Sequence, residues 1–491
     1  MYTGRKPEQV YLVVKMKKNR MERNLKRMYK IMALAMTAAM VVPMAAQTTA
    51  FAADDKEITY WNIAVESPDK DIVTTAVDKF NKETKSGYTV NSVAIQNDTY
   101  KEKLVIAMSS GECPDMYSSW SGGPMYEYID SGFAQPIDDL LDQSDIKDKL
   151  LDAAIEQGSY KGHVYAIPYM NVVLAGIFYN KDMFKQYGLE EPKTLADLEN
   201  ICATLKENGI TPFALANASK WTGSMYFMSL AARYGGLEPF QNAVAGTGKF
   251  TDDCFIKAGE KIQEWVNNGY FPDGVNSLSE DDGQAKQLMY QETAGMLLCG
   301  SWYTGTFQTD SEEFYQKIGW FPFPAIDDSD ADPTIQIGTV GDQFISFNCE
   351  GDKLAAAFEC ATDHLSDEVA DITYSNNKIV PVKDAGDHIK DPVVKEIFDA
   401  AQKASSIQLW YDQYLPTSVA TAHLDGLQEV FGLTKTPQEA QEEMQKAMDE
   451  YLSTKSDSGA ADDTAEEATD DAAADDTAEE ATDDAAADDA E

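Results

Sequence analysis

Histidine is scarce in this chain, with four residues in 491. Their positions, His163, His364, His388 and His423, give neither HExxH nor another metal-binding spacing. The GxSxG turn that exposes a nucleophilic serine is missing as well. Six cysteines (Cys113, Cys202, Cys254, Cys299, Cys349 and Cys360) form no CxxC pair and no dense framework. Cys202 and Cys299 lie in apolar runs and read as small buried hydrophobes; a Cys349–Cys360 disulfide stays open. DDSDAD (327–332) starts like a calcium loop, but Pro333 stands where an EF-hand needs glycine and Thr339 where it needs glutamate, so a surface loop is expected. No metal site and no cofactor follow from these residues.

Positive charge is the second shortage. Forty Lys and Arg face 83 Asp and Glu, a formal net charge of −43. The ends distort this figure and are best set aside. Basic residues crowd Lys15–Lys30, an apolar run follows from Ile31 to Ala46, and AFAA at 50–53 offers a cleavage point after Ala52. The run is short for a membrane span and contains Pro43, so residues 1–52 read as a signal peptide, with Met16 and Met21 as alternative starts. At the other end, ADDTAEEATDDAA (461–473) repeats letter for letter at 474–486. From Ser456 onward there are 16 acidic and no basic residues, a composition with little to bury, and 456–491 is expected to be a disordered acidic tail. Residues 1–52 hold ten Lys/Arg and two Glu, so the body between keeps 30 basic and 65 acidic residues, net −35. Nucleic acid and anionic membrane surfaces are therefore poor partners.

What the body does have is alternation. EITYWNIA (57–64) reads as a strand, then Ile72, Val73, Ala76, Val77 and Phe80 make one helical face. YTVNSVAI (88–95) alternates as a strand, YKEKLVIAMSSG (100–111) is helical up to its glycine, and MYSSW (116–120) is a strand running into a loop. Strands with helices between them predict an α/β fold with a largely parallel, helix-covered sheet. Further on, Thr194 with Asp197, and Thr436 with Pro437 and Glu439, are helix-start signatures. Between the two signatures and the opening stretch, KGHVYAIPYMNVVLAGIFYNKDMF (161–184) breaks one apolar run at Pro168, resumes it and stops at YNKD.

In open α/β sheets ligands bind beyond the carboxyl ends of the strands. Several such ends carry tryptophan or an aromatic–polar pair: Trp61-Asn62, Trp120, Trp302 and Trp410-Tyr411-Asp412, with Trp221 in a polar loop. A single tryptophan is more often packing than a contact. Several at strand-to-loop junctions suit a sugar, whose C–H face stacks on an indole while its hydroxyls need directed polar partners.

The motifs resemble, in order and spacing, the extracellular solute-binding proteins, family 1, that serve carbohydrate ABC transporters, maltose-binding protein among them. The resemblance covers ITYWN (58–62), YKEKLVIAMSSGECPDMY (100–117), GHVYAIPY (162–169), FYNKDMFKQYGLEEPKTLADL (178–198), NNGYFP (267–272), YQETAGMLLCGSW (290–302), IGWFPFP (318–324) and DKLAAAFE (352–359). It implies a two-lobe, periplasmic-binding-protein-like fold of type II, with lobes joined by crossing hinge strands and ligand in the cleft between. The expected N-terminal lobe is 53–168 with 335–378, and the C-terminal lobe 174–317 with 384–455. Crossings are expected at YAIPY, near WFPFPAI (320–326) and near IVPVK (379–383), with YNKD architectural.

By the same resemblance, the sugar-facing candidates are Trp120, Trp221, Trp302 and Trp410, with Asn62, Glu66, Asp115 and Asp412 taking hydroxyls. Asp115 has an equal claim to be a structural turn residue, and Trp61 to be core. The implied function is delivery of a mono- or oligosaccharide to ABC permease subunits by hinge closure, by a secreted protein, expected as a monomer, that reaches the membrane only through the permease. The first cysteine is Cys113, so no lipid-bearing cysteine follows the signal. A secreted carbohydrate-active enzyme and a transport-independent sensor or adhesin are the rival classes; neither has a motif of its own here.

Overall fold

A computed structural model describes residues 56–466; the expected signal segment with its cleavage point, and the tail beyond residue 466, lie outside them. The chain opens with β1 (Glu57–Asn62), whose residues alternate half-buried and buried, as the pleat of a half-covered strand requires. It is flanked in parallel by β2 (Thr89–Ala94) and β3 (Met116–Ser119). The intervening helix Asp69–Glu83 buries the expected face, Ile72, Val73, Ala76, Val77 and Phe80. The next, Asn97–Ser110, stops at Gly111, which adopts φ 78°, a left-handed conformation open to glycine.

Next, β4 (Ala166–Pro168) belongs to this same first sheet, and Pro168, opposite Phe344, is its last paired residue. Lacking an N–H, proline ends a ladder cleanly. The chain then crosses, and β5 (Val173–Asn180) starts a second sheet with all eight residues buried. Asn180 closes β5: its Oδ1 accepts the N–H groups of Asp182 (3.0 Å) and Met183 (3.1 Å), capping the helix Lys181–Tyr187. YNKD is a strand-to-helix joint.

The remaining strands of the two main sheets are β6 (Thr211–Phe213), β7 (Ala294–Gly300), β8 (Ile318–Phe321), β9 (Gln336–Thr339), β10 (Phe344–Phe347) and β11 (Ile407–Gln408), and a small hairpin pairs Ser159–Tyr160 with His163–Val164. The first sheet has the order β2-β1-β3-β10-β4; the second runs β11-β9-β5-β7-β6, with β8 also beside β5. Each sheet has its own apolar core, one around Ile58, Tyr60, Phe80 and Ile345, the other around Phe178, Phe213, Trp265 and Leu298. The α/β two-lobe reading holds.

Two expected positions are corrected. WFPFPAI is not a crossing: β8 stays in the second sheet, with Trp320 opposite Phe178 and its indole lying against Gly176. A buried apolar run betrays a strand but not its partner. The second crossing lies instead at 340–343, because β9 pairs with Val173 and Leu174 of β5 and the first sheet resumes at Phe344. Residues 336–339 therefore belong with the second sheet, past the expected boundary at 335. The three crossings meet at Asn171, 1 % exposed: its carbonyl accepts from Asp342 N–H (2.8 Å) and its Oδ1 from Ile379 N–H (2.7 Å). Val172 N–H adds a bond to Ile379 C=O (2.8 Å).

The last helix begins at the expected box, Thr436 N–H to Glu439 (3.0 Å) and Glu439 N–H to Thr436 Oγ1 (3.2 Å). It runs from Pro437 to Glu466, past the expected end at Lys455. Extending an existing helix needs no new nucleus. All six cysteines are free, and the open Cys349–Cys360 pairing is not made.

Candidate functional site

Four loops position one tryptophan each. Trp120 follows β3, with the Tyr100 ring edge-on at 6.0 Å and the Lys101 ammonium 5.0 Å over its face. Tyr100 is itself fixed by a 2.6 Å bond from its hydroxyl to Ser118 C=O. Trp221 opens the helix Trp221–Gly235 after a loop held by Asn217, whose Oδ1 accepts Gly223 N–H (3.0 Å) and whose Nδ2 donates to Asn276 (2.7 Å). Trp302 follows β7, and its six-membered ring lies over Gly300, where an added Cβ would be 2.1 Å from the indole. Trp410 precedes the short helix Tyr411–Tyr414 and is 2 % exposed.

These four indoles, distant in sequence, line one cleft of about 200 Å³. Trp302 stands at its centre, edge-to-face with Trp221 (5.9 Å, 64°) and Trp410 (6.1 Å, 63°). Tilted pairs of this kind brace one another and leave ring faces for a third partner. Met225 and Met228, from the helix behind, complete the apolar wall. Asp412 also lines the cleft, 3.7 Å from Lys101.

The other expected polar residues are placed differently. Asn62 is buried, its Nδ2 donating to Ser92 Oγ (2.8 Å) and its Oδ1 accepting Ala64 N–H (3.0 Å), so it ties off β1. Asp115 accepts from Thr59 N–H (2.9 Å) and Lys353 (2.8 Å) and holds β3 to β1 and to the helix Gly351–Asp363. Neither lines the cleft. Glu66 is exposed, 3.7 Å from Lys286, in a polar recess that opens beside Trp302. Trp61 is half-buried, packed against the cluster of Tyr100 and Leu104.

The structure adds polar residues that sequence reasoning missed: Asp69, Glu280, Asp281, Asp342, Gln343 and Lys101. Glu280 is half-buried in the cleft wall; loss of water around its carboxyl pushes it up to about 7, against the hydroxyl of Tyr303, which donates to it. Burial likewise pushes Asp342 up to about 7, opposed by Lys378 nearby. Asp281 is also raised by burial, and its Oδ2 accepts Asp98 N–H (3.1 Å). No spacing rule could have picked these out among so many body carboxylates.

The cleft is bounded by both sheets' elements, and polar contacts join them around its rim. Besides Asp98–Asp281 and Lys101–Asp412, Glu127 accepts from Thr417 N–H (3.0 Å) and Thr417 Oγ1 (2.6 Å). At Gly122 and Gly123 the backbones approach so closely that an added Cβ would lie 2.2 Å from Gln413 O and 2.1 Å from Leu415 O, respectively. Among the described residues no group of three or more His, Cys, Asp or Glu is placed to hold a metal ion.

Residues 64–362 match the family model of the bacterial extracellular solute-binding proteins. The chain belongs to that family. This solute-binding protein is 31% identical over 228 residues to an uncharacterised ABC transporter extracellular-binding protein of Pyrococcus horikoshii, covering 46% of this chain and 50% of that one. It is 28% identical over 241 residues to a maltotriose-binding protein of Pyrococcus abyssi, 48% of each chain. The chain thus spans about half the length of these curated relatives. Among solved structures, one from work on xylan utilisation by Caldanaerobius polysaccharolyticus superposes with a TM-score of 0.73 at 28% identity, covering 79% of this chain and 99% of that one. A chitin oligosaccharide binding protein gives 0.73 at 23% identity, over 80% and 98%. No helix among the described residues is long and apolar enough to cross a membrane.

Proposed function

We propose that this protein binds an oligosaccharide outside the cell, between its two lobes, and that the closed form is what an ABC permease recognises. The observation that carries this reading is the convergence of Trp120, Trp221, Trp302 and Trp410 on one cleft walled by carboxylates. Stacking surfaces with hydrogen-bond acceptors around them suit a pyranose, apolar on its faces and hydroxylated at its edge. The names of its relatives and neighbours, binders of maltotriose and of chitin oligosaccharides, support the same class.

In this reading the first lobe holds β1–β4 and β10 with the helices before residue 158 and those from 351 to 375. The second holds β5–β9 and β11, with the helices from 181 to 315 and those from 384. A ligand touching both lobes gains its full contacts only when they meet, so it favours the closed state by that differential affinity. The protein acts as a monomer that binds and releases its sugar unchanged. A thermal-shift screen of a glycan panel tests this, followed by small-angle scattering with the sugar that raises the melting temperature. A shift with compaction is expected. No shift from any glycan, or hydrolysis of the bound one, would overturn the reading.

A further inference from the structure

The charge on the cleft wall points further than its aromatics. Its carboxylates come from separate places: Asp69 at the start of a helix, Glu280 and Asp281 in one loop, Asp342 on the second crossing and Asp412 after Trp410. Lys101 is the one cation among the lining residues, and it is already 3.7 Å from Asp412 and poised over the Trp120 ring. Lys378, 3 % exposed, is paired with Asp69.

Arginine, the usual partner of a carboxylate, sulfate or phosphate because its planar fork grips two oxygens at once, is nearly absent. Arg233 is the only arginine in residues 28–491. It is buried away from the cleft, where its guanidinium donates to the carbonyls of Phe323 (2.9 Å), Pro324 (3.2 Å) and Ile335 (2.8 Å). Ionised carboxylates only accept hydrogen bonds. A wall of them asks the ligand for donors and offers an anion nothing, and Glu280 and Asp342, raised to about 7, add their full charge to it above that pH.

Resting on the carbohydrate reading above, we propose that the cleft selects glycans free of acidic groups: neutral oligosaccharides are taken, and uronic-acid, sulfated or phosphorylated ones are turned away. A carboxylate at C6 of a bound sugar would face Asp281, Asp342 or Asp412 without a free cation to meet it. Partly buried charges are screened less than exposed ones, so the rejection persists at physiological salt.

The test is calorimetric titration of the full chain at pH 8, where Asp342 is ionised, with neutral malto-, xylo-, cello- and chito-oligosaccharides and with oligogalacturonates. The tightest neutral binder with a C6 hydroxyl is also compared with its own C6-oxidised form. The neutral sugar should bind at least tenfold more tightly than its oxidised counterpart. In Asp281→Asn the gap should narrow several-fold, and Asp342→Asn provides an independent reading of the same effect. Equal affinity for the oxidised sugar, or a gap that neither variant changes, would overturn the charge argument while leaving the carbohydrate reading standing. Failure of every glycan, neutral or acidic, to bind would bring down both.

Discussion

Truncating Trp302 to alanine isolates the aromatic part of the mechanism. Trp302 is half-buried and touches both Trp221 and Trp410, so it is the indole whose loss disturbs the most of the stacking surface. A tryptophan covers about 150–250 Å² of contact, and a sugar face covering roughly half of the lower figure removes about 80 Å² of apolar surface from water. At ~25 cal/mol per Å² that is about 2 kcal/mol, a weakening of roughly thirtyfold in Kd. Calorimetric titration of wild type, Trp302→Ala and Trp302→Phe should therefore show the alanine variant near thirtyfold weaker and the phenylalanine variant in between, since a smaller ring keeps part of the stack.

Folding must be read alongside binding. Trp410 is 2 % exposed, so Trp410→Ala leaves a cavity and costs about 3–5 kcal/mol of stability in addition to any contact. Trp302 and Trp120, both half-buried, are the cleaner substitutions. Lys181→Ala is the control, because YNKD closes β5 and caps a helix, and its affinity should match wild type. Affinities within twofold of wild type for Trp120, Trp221, Trp302 and Trp410 variants alike would refute the placement of the sugar.

Gly123→Ala should impair closure, since its Cβ would lie 2.1 Å from Leu415 O while the first turn of a helix readily accepts alanine. Scattering should show sugar-induced compaction lost and titration a Kd about tenfold weaker or more; compaction equal to wild type would show that the backbones separate at no cost. Glu280→Gln should gain stability over wild type as pH rises from 4.5 to about 7 and then hold level. The folded carboxyl, raised from 4.5 to about 7, contributes fully only below its unfolded value. Because the cleft hydrates it, the gain expected in ligand-free thermal melts is about 1–2 kcal/mol, and a flat difference across that window would contradict the burial. A chain ending at Lys455 should bind sugar as the full chain does, the removed segment having no aromatic residue to stack; a tenfold loss would count against that.

How much of this was legible beforehand depended on whether a residue's role is local. The caps at Thr194 and Thr436, the stop at Gly111 and the break at Pro168 are decided within a few residues by backbone donors and φ angles, so the sequence states them directly. Tryptophan is rare and conspicuous, and three indoles at strand ends with a fourth in a polar loop stand out in the sequence without showing that they share a wall. Carboxylates do not. Asn62 and Asp115 stand beside recognisable strands, and that proximity is the reason they serve the strands: each is hydrogen-bonded to neighbouring backbone or side chains. Glu280 and Asp342 reach the cleft through a loop and a crossing whose positions depend on pairings between distant parts of the chain, such as Thr339 with Val173 and Phe344 with Pro168.

The same reasoning explains the misplaced second crossing. WFPFPAI and QIGT are both short, buried and apolar enough to be either sheet's edge, and they share one side of β5. What separates them is Gly176, which leaves room for the Trp320 indole and so fixes β8 on β5, and Asn171, whose carbonyl and side chain bind the segments that truly cross. A lone asparagine between apolar runs, YMNVVL, was the available signal for the hinge. A buried amide needs partners wherever it lies, and here the partners are the backbones of the two other crossings.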